Sequence, residues 1–533
     1  MKNLEAIPIV VGVSGHRAID ERDCAALRAA VKEQLEALRE RCPHSPLVMF
    51  SSLAAGGDLL CADAAEELGI PLCAVLPLER EDYEKDFTPE ARERFAHHLA
   101  RAERVFTAPA TESVPPEPDR DFRYRQAGIY ISAHSHVLLA LWDGAGSEPP
   151  HCGTAAAVDF SLRGAYSPPE GLPLRSDSNE AVIHIFTPRG AQRGEAAGAV
   201  HILGNREALR DTLEKTDEFN RLAAETDTGG RRLLPDDAAR GGAAERMERL
   251  YLIADALSSR YAALYRRILA YLAAASTVLT LAFLLYDEAE AIWMILVCGA
   301  MLLAAYLAQR AARRTACHRR YIDYRVLAEC LRVQAFLRYA GSGIETAELM
   351  TWTQQEETGW IMDALCALSA DREESAARDI RRCWVEDQRD YHARAEKKAG
   401  RSAELSEKIV RSALGVSITL YFAALLFELL CGGSLLPAAL YIGDPESYRT
   451  ALKIILGGIS ASTLFIANYY GKLSLPRILS DHGKMRRFYE KMSAQLLLRG
   501  QTEELLRTLA REELIENGDW CSYQRDNTPD LSF

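Results

Sequence analysis

The chain has 533 residues, enough for two or more domains with separate cores, and a net charge of −12 with a pI of about 5.6. That balance argues against a general nucleic-acid binder and leaves room only for a local basic site. None of the twelve cysteines forms a CxxC pair, and Cys24, Cys42, Cys61 and Cys73 sit singly, as reduced core thiols do. The opening stretch MKNLEAIPIVVGVSGHR lacks the basic end and apolar core of a signal peptide, so a cytoplasmic first domain is expected.

Residues 1–190 alternate short β-rich runs with amphipathic helical patterns. Strands are predicted at Ile7–Val13, Leu47–Leu53, Leu72–Leu76, Arg104–Thr107, Val137–Trp142 and Ala181–Phe186. Helices are predicted at Glu21–Arg41, Asp58–Leu68, Pro89–Ala102, Phe122–Ala133 and Thr154–Leu162. Several strands are apolar throughout, as in a parallel sheet covered on both faces, and the alternation predicts a doubly wound α/β domain. Tyr166–Asn179 is a Pro-, Ser- and Gly-rich loop, and Thr226–Gly242 lies in a connecting segment placed at 191–245.

The chemistry then changes. Leu269–Tyr286, Ala291–Gln309, Ile409–Leu430 and Ile454–Tyr470 are apolar runs of about the length that spans a ~30 Å hydrocarbon layer. Four transmembrane helices are therefore expected, in two hairpin units placed at 246–400 and 401–533. Arg266 and Arg267 precede the first run, and Arg310, Arg313, Arg314, Arg319 and Arg320 follow the second. Lys397, Lys398, Arg401, Lys408 and Arg411 precede the third, and Lys472, Arg477, Lys484, Arg486 and Arg487 follow the fourth. The first hairpin loop has only Asp287, Glu288 and Glu290. Both patterns put the termini and the segment from Arg310 to Lys408 in the cytoplasm. Helical patterns at Arg325–Tyr339, Trp352–Leu368 and Ile380–Tyr391 are expected to prolong the membrane helices as a packed stalk. Glu428, near the outer end of the third run, is either a functional ionisable group or one that snorkels to the interface, and Gly458 and Ser462 permit close helix packing.

Three turns carry candidate chemistry. Gly12-Val13-Ser14-Gly15-His16-Arg17 follows the first strand; glycines there let backbone amides approach an anion, Ser14 can donate, and Arg17 can pair with a phosphate. The run is not GxGxxG, so it does not match a dinucleotide fingerprint. Ser52, Gly56, Gly57 and Asp58 end the second strand and open a helix, with Asp58 as either an N-cap or a ribose-hydroxyl acceptor. Asp143 closes the fifth strand, and Gly153 and Thr154 open the helix after it. In a parallel sheet all three turns lie at the carboxyl edge, where ligands bind. Arg123 and Tyr124 belong to the same expected edge, although Tyr124 is equally suited to packing. His134 and His136 are two apart, which does not suit one helix face, so no metal is expected there.

GVSGHR at Gly12–Arg17, AGGD at Ala55–Asp58, the strand end at Leu138–Gly144 and the turn at Cys152–Ala155 resemble the SLOG superfamily, a Rossmann-like group that includes the Lonely-guy phosphoribohydrolases. The membrane half resembles the SLATT effector modules, through Tyr324–Leu337, Trp384–Tyr391 and Glu516–Arg525. The phosphoribohydrolases carry a PGGxGTxxE turn whose glutamate is catalytic; here the region reads HCGTAAAVD, with Ala157 at that position and Asp159 off its register. The resemblance thus implies a binding domain without catalytic residues, cofactor or metal, and with a nucleotide-derived ligand such as an ADP-ribose-like or cyclic nucleotide second messenger. It further implies a homo-oligomeric, pore-forming effector of the bacterial inner membrane in antiviral defence. The alternatives are a membrane-tethered enzyme that cleaves a nucleotide or N-glycosidic bond, using Glu79, Glu81, Asp82 or Asp86, and a nucleotide-regulated channel or transporter.

Overall fold

The computed structural model describes residues 6–146, 152–164, 181–189, 195–235, 242–288, 290–370, 378–432, 447, 449–460 and 475–526. Seven strands form one sheet: β1 (Ile9–Gly15), β2 (Leu47–Ser51), β3 (Leu72–Leu76), β4 (Arg104–Thr107), β5 (Val137–Trp142), β6 (Ala181–Phe186) and β7 (Val200–Gly204). Their order is β4-β3-β2-β1-β5-β6-β7. The first six are parallel, and β7 runs antiparallel to β6. The chain winds outward from β1 through β2 and β3 to β4, then returns to place β5 on the other flank of β1. The strand order therefore reverses between β1 and β5, and a crevice opens at their carboxyl ends.

Helices cover both faces. α1 (Glu21–Arg41) starts at the Asp20 side chain, which accepts from the Arg22 amide, and carries Glu21 and Asp23 in its first turn and Arg39 and Arg41 in its last. Leu27, Ala30, Val31, Leu35 and Leu38 recur at helical spacing and form its buried stripe. With α2 (Gly57–Glu67) and α4 (Pro89–Arg101) it packs over Val11, Val13, Met49 and Leu139. α5 (Arg120–Ala133) and α6 (Thr154–Arg163) cover the opposite face, over Val10, Phe50, Val75 and Ala140. The one-turn α3 (Arg80–Tyr83) lies between β3 and α4. Cys42, Cys61 and Cys73 are buried and belong to no disulfide.

The pairing of β6 with β7 and the following α7 (Arg206–Ala224) extend the domain beyond the expected limit at 190. The chain forms two compact units. The first joins residues 1–257 to Asp323–Arg378 and Glu503–Ser522; the second comprises Ser258–Ile322, Asp379–Thr502 and the C-terminal residues. The helices expected to form a stalk thus divide between them. α10 (Cys317–Tyr339) lies mostly in the first unit, as do the short α11 (Thr346–Leu349) and α12 (Trp352–Glu357), and α13 (Gly359–Ser369). Ala367 and Ala370 belong to the core on the α5–α6 face, and the Ala370 carbonyl accepts from Arg104 at 2.7 Å. The pattern Trp352–Leu368, expected as one helix, breaks at Thr358, whose backbone (φ −132°) leaves the helical region.

The second unit takes up the chain at Ser258, inside a long helix whose first residues belong to the first unit. α8 (Ala243–Glu288) and α9 (Met294–Thr315) flank the acidic loop, and α14 (Asp387–Gly432) follows a wider π-helical turn at Arg381–Glu386. α15 (residues 449–460), α16 (Leu475–Arg499) and α17 (Glu503–Asp526), most of which belongs to the first unit, complete the order. Three stretches, Ala243–Glu288, Met294–Tyr339 and Arg381–Leu426, are long and apolar enough to cross a membrane. Only 18, 11 and 11 % of their apolar windows is buried, so most of that surface is uncovered by the described residues. These stretches contain the first expected run and most of the second and third; most of the fourth, Ile454–Tyr470, lies outside the described residues, as do Ser462, the Glu428 side chain and the Tyr166–Asn179 loop. Gly458 does pack closely, since a Cβ there would lie 3.0 Å from Leu281 of α8.

Candidate functional site

The crevice between β1 and β5 is built from turns that fasten onto one another. Gly15 and Gly57 are in backbone contact, and a Cβ on Gly15 would lie 2.7 Å from the Gly57 Cα. Gly56 has φ +84°, and a Cβ there would meet the His16 and Arg17 carbonyl oxygens at 2.4 Å. The Gly57 amide donates to the His16 carbonyl at 2.9 Å, and the His16 amide to the Leu141 carbonyl at 3.0 Å. Asp58 completes the fastening: it accepts from the Gly15 amide at 2.9 Å, the Ser51 hydroxyl at 3.2 Å and the Ala54 amide at 3.4 Å.

This geometry reassigns several expected roles. The Gly15 and Gly57 amides serve the protein itself, so they do not form the open phosphate cradle expected of the first two turns. Gly12 lies inside the sheet, where a Cβ would collide with Ser135 and Ile131 of the α5 side. Asp58 is neither the N-cap, which is Gly56, nor accessible to a ribose; it is 3 % exposed and clamps the two turns. Burial pushes its carboxyl up to about 7, against the three hydrogen bonds and the field of Arg17.

The groups at the rim are His16, Arg17, Tyr124, Asp143 and the start of α6. His16 Nε2 lies 3.3 Å from the Asp143 carboxylate and 3.1 Å from the Asp143 amide. Burial lowers the His16 pKa; Asp143 opposes that and the nearby Arg189 adds to it. The Arg17 guanidinium sits over the Tyr124 ring, 4.8 Å from its centroid, and is exposed. Among the described residues no carboxylate lies within ion-pair distance of it. Tyr124 in turn hydrogen-bonds Asp86, which pairs with Arg120 at 2.7 Å.

α6 begins without a side-chain cap. Gly153, at φ +92°, has open space where a Cβ would be, and Thr154 is buried just inside the helix. The amides of that first turn have no partner within the helix and carry the positive end of its dipole. Cys152, one residue earlier, feels the field of Arg17; burial and a hydrogen bond to Asp121 nonetheless push its thiol up. Arg17 is thus within electrostatic reach of the residue that precedes α6. Ser14 pairs with Ala140 in the sheet, Ser52 is half-buried at the end of β2, and Arg123 is half-buried on α5.

Sequence reasoning missed Arg189. The available signal was its place three residues beyond the end of β6, on the edge that collects the other turns. No family model and no curated protein sequence matches this chain.

Proposed function

We propose that the α/β unit is a sensor for a nucleotide-derived anion and that the apolar helices are the effector it controls. The observation that carries this reading is the conjunction, at the β1–β5 switch point, of an uncapped helix start at Gly153 with Arg17, an exposed guanidinium free of carboxylate partners among the described residues. Phosphate would sit on the first turn of α6 beneath Arg17, with Tyr124 as the flat neighbour of that guanidinium. His16, held against Asp143 and depressed by burial, is suited to a neutral hydrogen-bonding role at the rim.

The ligand must bind one state of the protein more tightly than another to act as a signal. In this reading the favoured state is an oligomer whose spans open a pore or otherwise breach the inner membrane, arresting or killing a phage-infected cell. The termini lie in the cytoplasm, because the residues from Leu257 to Ile322 hold arginines at one end of the hairpin and acids only in its loop. An enzymatic alternative has less to act with. Asp82 and Asp86 are paired with Arg120, and Glu79 accepts from Thr107 at 3.0 Å.

The test is dye release from liposomes holding the purified protein, screened against cyclic and ADP-ribose-type nucleotides. Release with one nucleotide, reduced at least tenfold in Arg17→Ala, is the expected result. Conversion of a nucleotide with no release overturns the sensor–effector reading in favour of an enzyme.

A further inference from the structure

Away from the crevice, α2 and α4 bring together a second set of side chains, at the far end of α2 from its glycine turn. Glu66 lies nine residues beyond Gly57, about 14 Å along the helix at 1.5 Å per residue. Its Oε2 is 2.9 Å from His97 Nε2 and 3.6 Å from His98 Nδ1, and the ligand atoms of all three residues fall within 4.8 Å of one another. A tetrahedral ion with ligands at about 2.1 Å separates its donors by about 3.4 Å, and the two Glu66–imidazole spacings suit one shared metal. We propose that Glu66, His97 and His98 bind a zinc-class divalent cation that fastens α2 to α4.

The decisive group is His98. It is 4 % exposed, and its Nε2 lies 2.7 Å from Asp63 Oδ1. That contact puts the proton of a neutral ring on Nε2 and leaves the Nδ1 lone pair facing the Glu66 carboxylate. Two acceptors then oppose each other with no hydrogen between them, an arrangement a cation resolves. A carboxylate on the outer nitrogen of a ligating histidine is also the usual second layer of a metal site. The remaining oxygens are occupied in the same pattern. Asp63 Oδ2 takes Arg94 at 2.6 Å, with Arg28 at 3.9 Å, and Glu66 Oε1 takes Arg101 at 2.8 Å and a second contact from His97 at 3.1 Å. Two histidines and one carboxylate leave a fourth position for water, as in open zinc sites.

The competing account is a doubly protonated His98 that donates to both carboxylates. Full-length protein in detergent, stripped with chelator, is titrated with Zn²⁺ and with Co²⁺ at neutral pH. The proposal expects one ion per chain at this site, a visible Co²⁺ spectrum of tetrahedral strength, and no thiolate charge-transfer band from it. His97→Gln and Glu66→Gln, both on side chains at least one-third exposed, abolish that uptake while leaving the far-UV circular dichroism unchanged. Asp63→Asn weakens it by about 10–100-fold. No uptake by the stripped protein, or uptake that survives both His97→Gln and Glu66→Gln, overturns the proposal.

Discussion

The sheet and the long helices are made from the same apolar residue types and use them in opposite ways. In the sheet, Val11, Met49, Leu139 and Ile185 have no measurable exposure. In the second unit, Leu296 is 74 % exposed, Phe422 68 % and Leu302 51 %. The first region finds its nonpolar solvent within its own fold, whereas the second is left uncovered by the described residues, a surface suited to a bilayer. Composition alone therefore does not define a core: an apolar run ends as core or as external surface depending on whether other elements cover it.

Paired substitutions test that contrast. Leu139→Ala leaves a cavity in the sheet core and should cost about 2–5 kcal/mol. Leu302→Ala, which leaves no internal cavity, should shift stability by no more than roughly 0.5 kcal/mol. Chemical denaturation of each variant in detergent measures both, and equal losses would break the comparison.

The next effect is confined to the sheet unit and comes from pH. Folding raises the Asp58 pKa from 3.8 to about 7, so the folded state holds that proton more tightly than the unfolded chain. Its stability should fall as pH rises from about 4 to 7 and then level off, a loss of up to roughly 4 kcal/mol for a shift of that size. Asp58→Asn should flatten this part of the profile and raise stability at pH 8. Glu516, also pushed up to about 7 by burial, titrates in the same window and leaves a residual slope. An unchanged profile in Asp58→Asn would show that Asp58 does not carry it.

A smaller effect separates two glycines of the same unit. Gly15→Ala forces the apposed turns apart and should cost about 1–3 kcal/mol. Gly128→Ala, inside α5 with its nearest neighbour at 4.0 Å, should gain up to about 1 kcal/mol from helix propensity. Thermal melts of the two variants would sharpen the claim that contact, and not glycine itself, is what the first turn needs.

Much of the fold was legible because its signals are local. Apolar runs and amphipathic spacing placed the first six strands within two residues, and α1 at the observed Glu21–Arg41. β7 was missed because it is a short edge strand, half-exposed and without a clear alternating pattern. Of the stalk patterns, Arg325–Tyr339 and Ile380–Tyr391 do prolong membrane-length helices, whereas Trp352–Leu368 was assigned to the wrong neighbours for a different reason. Helical spacing shows that a face must be covered but not which element covers it, and α13 contributes to the core of the sheet unit.

The sequence by itself determined the strand–helix order, the apolar runs of membrane length and the glycine turns at the carboxyl edge, since each depends on neighbours in the chain. Tertiary structure alone decided which of those turns keeps amides without a side-chain cap among the described residues. Backbone contact at Gly15 and Gly57 and the buried Asp58 carboxylate use up two of them, leaving the start of α6 open. It also decided that Glu66 meets His97 and His98 across 31 and 32 residues, because donor sets and carboxylate pairings depend on distances in space that spacing along the chain does not encode.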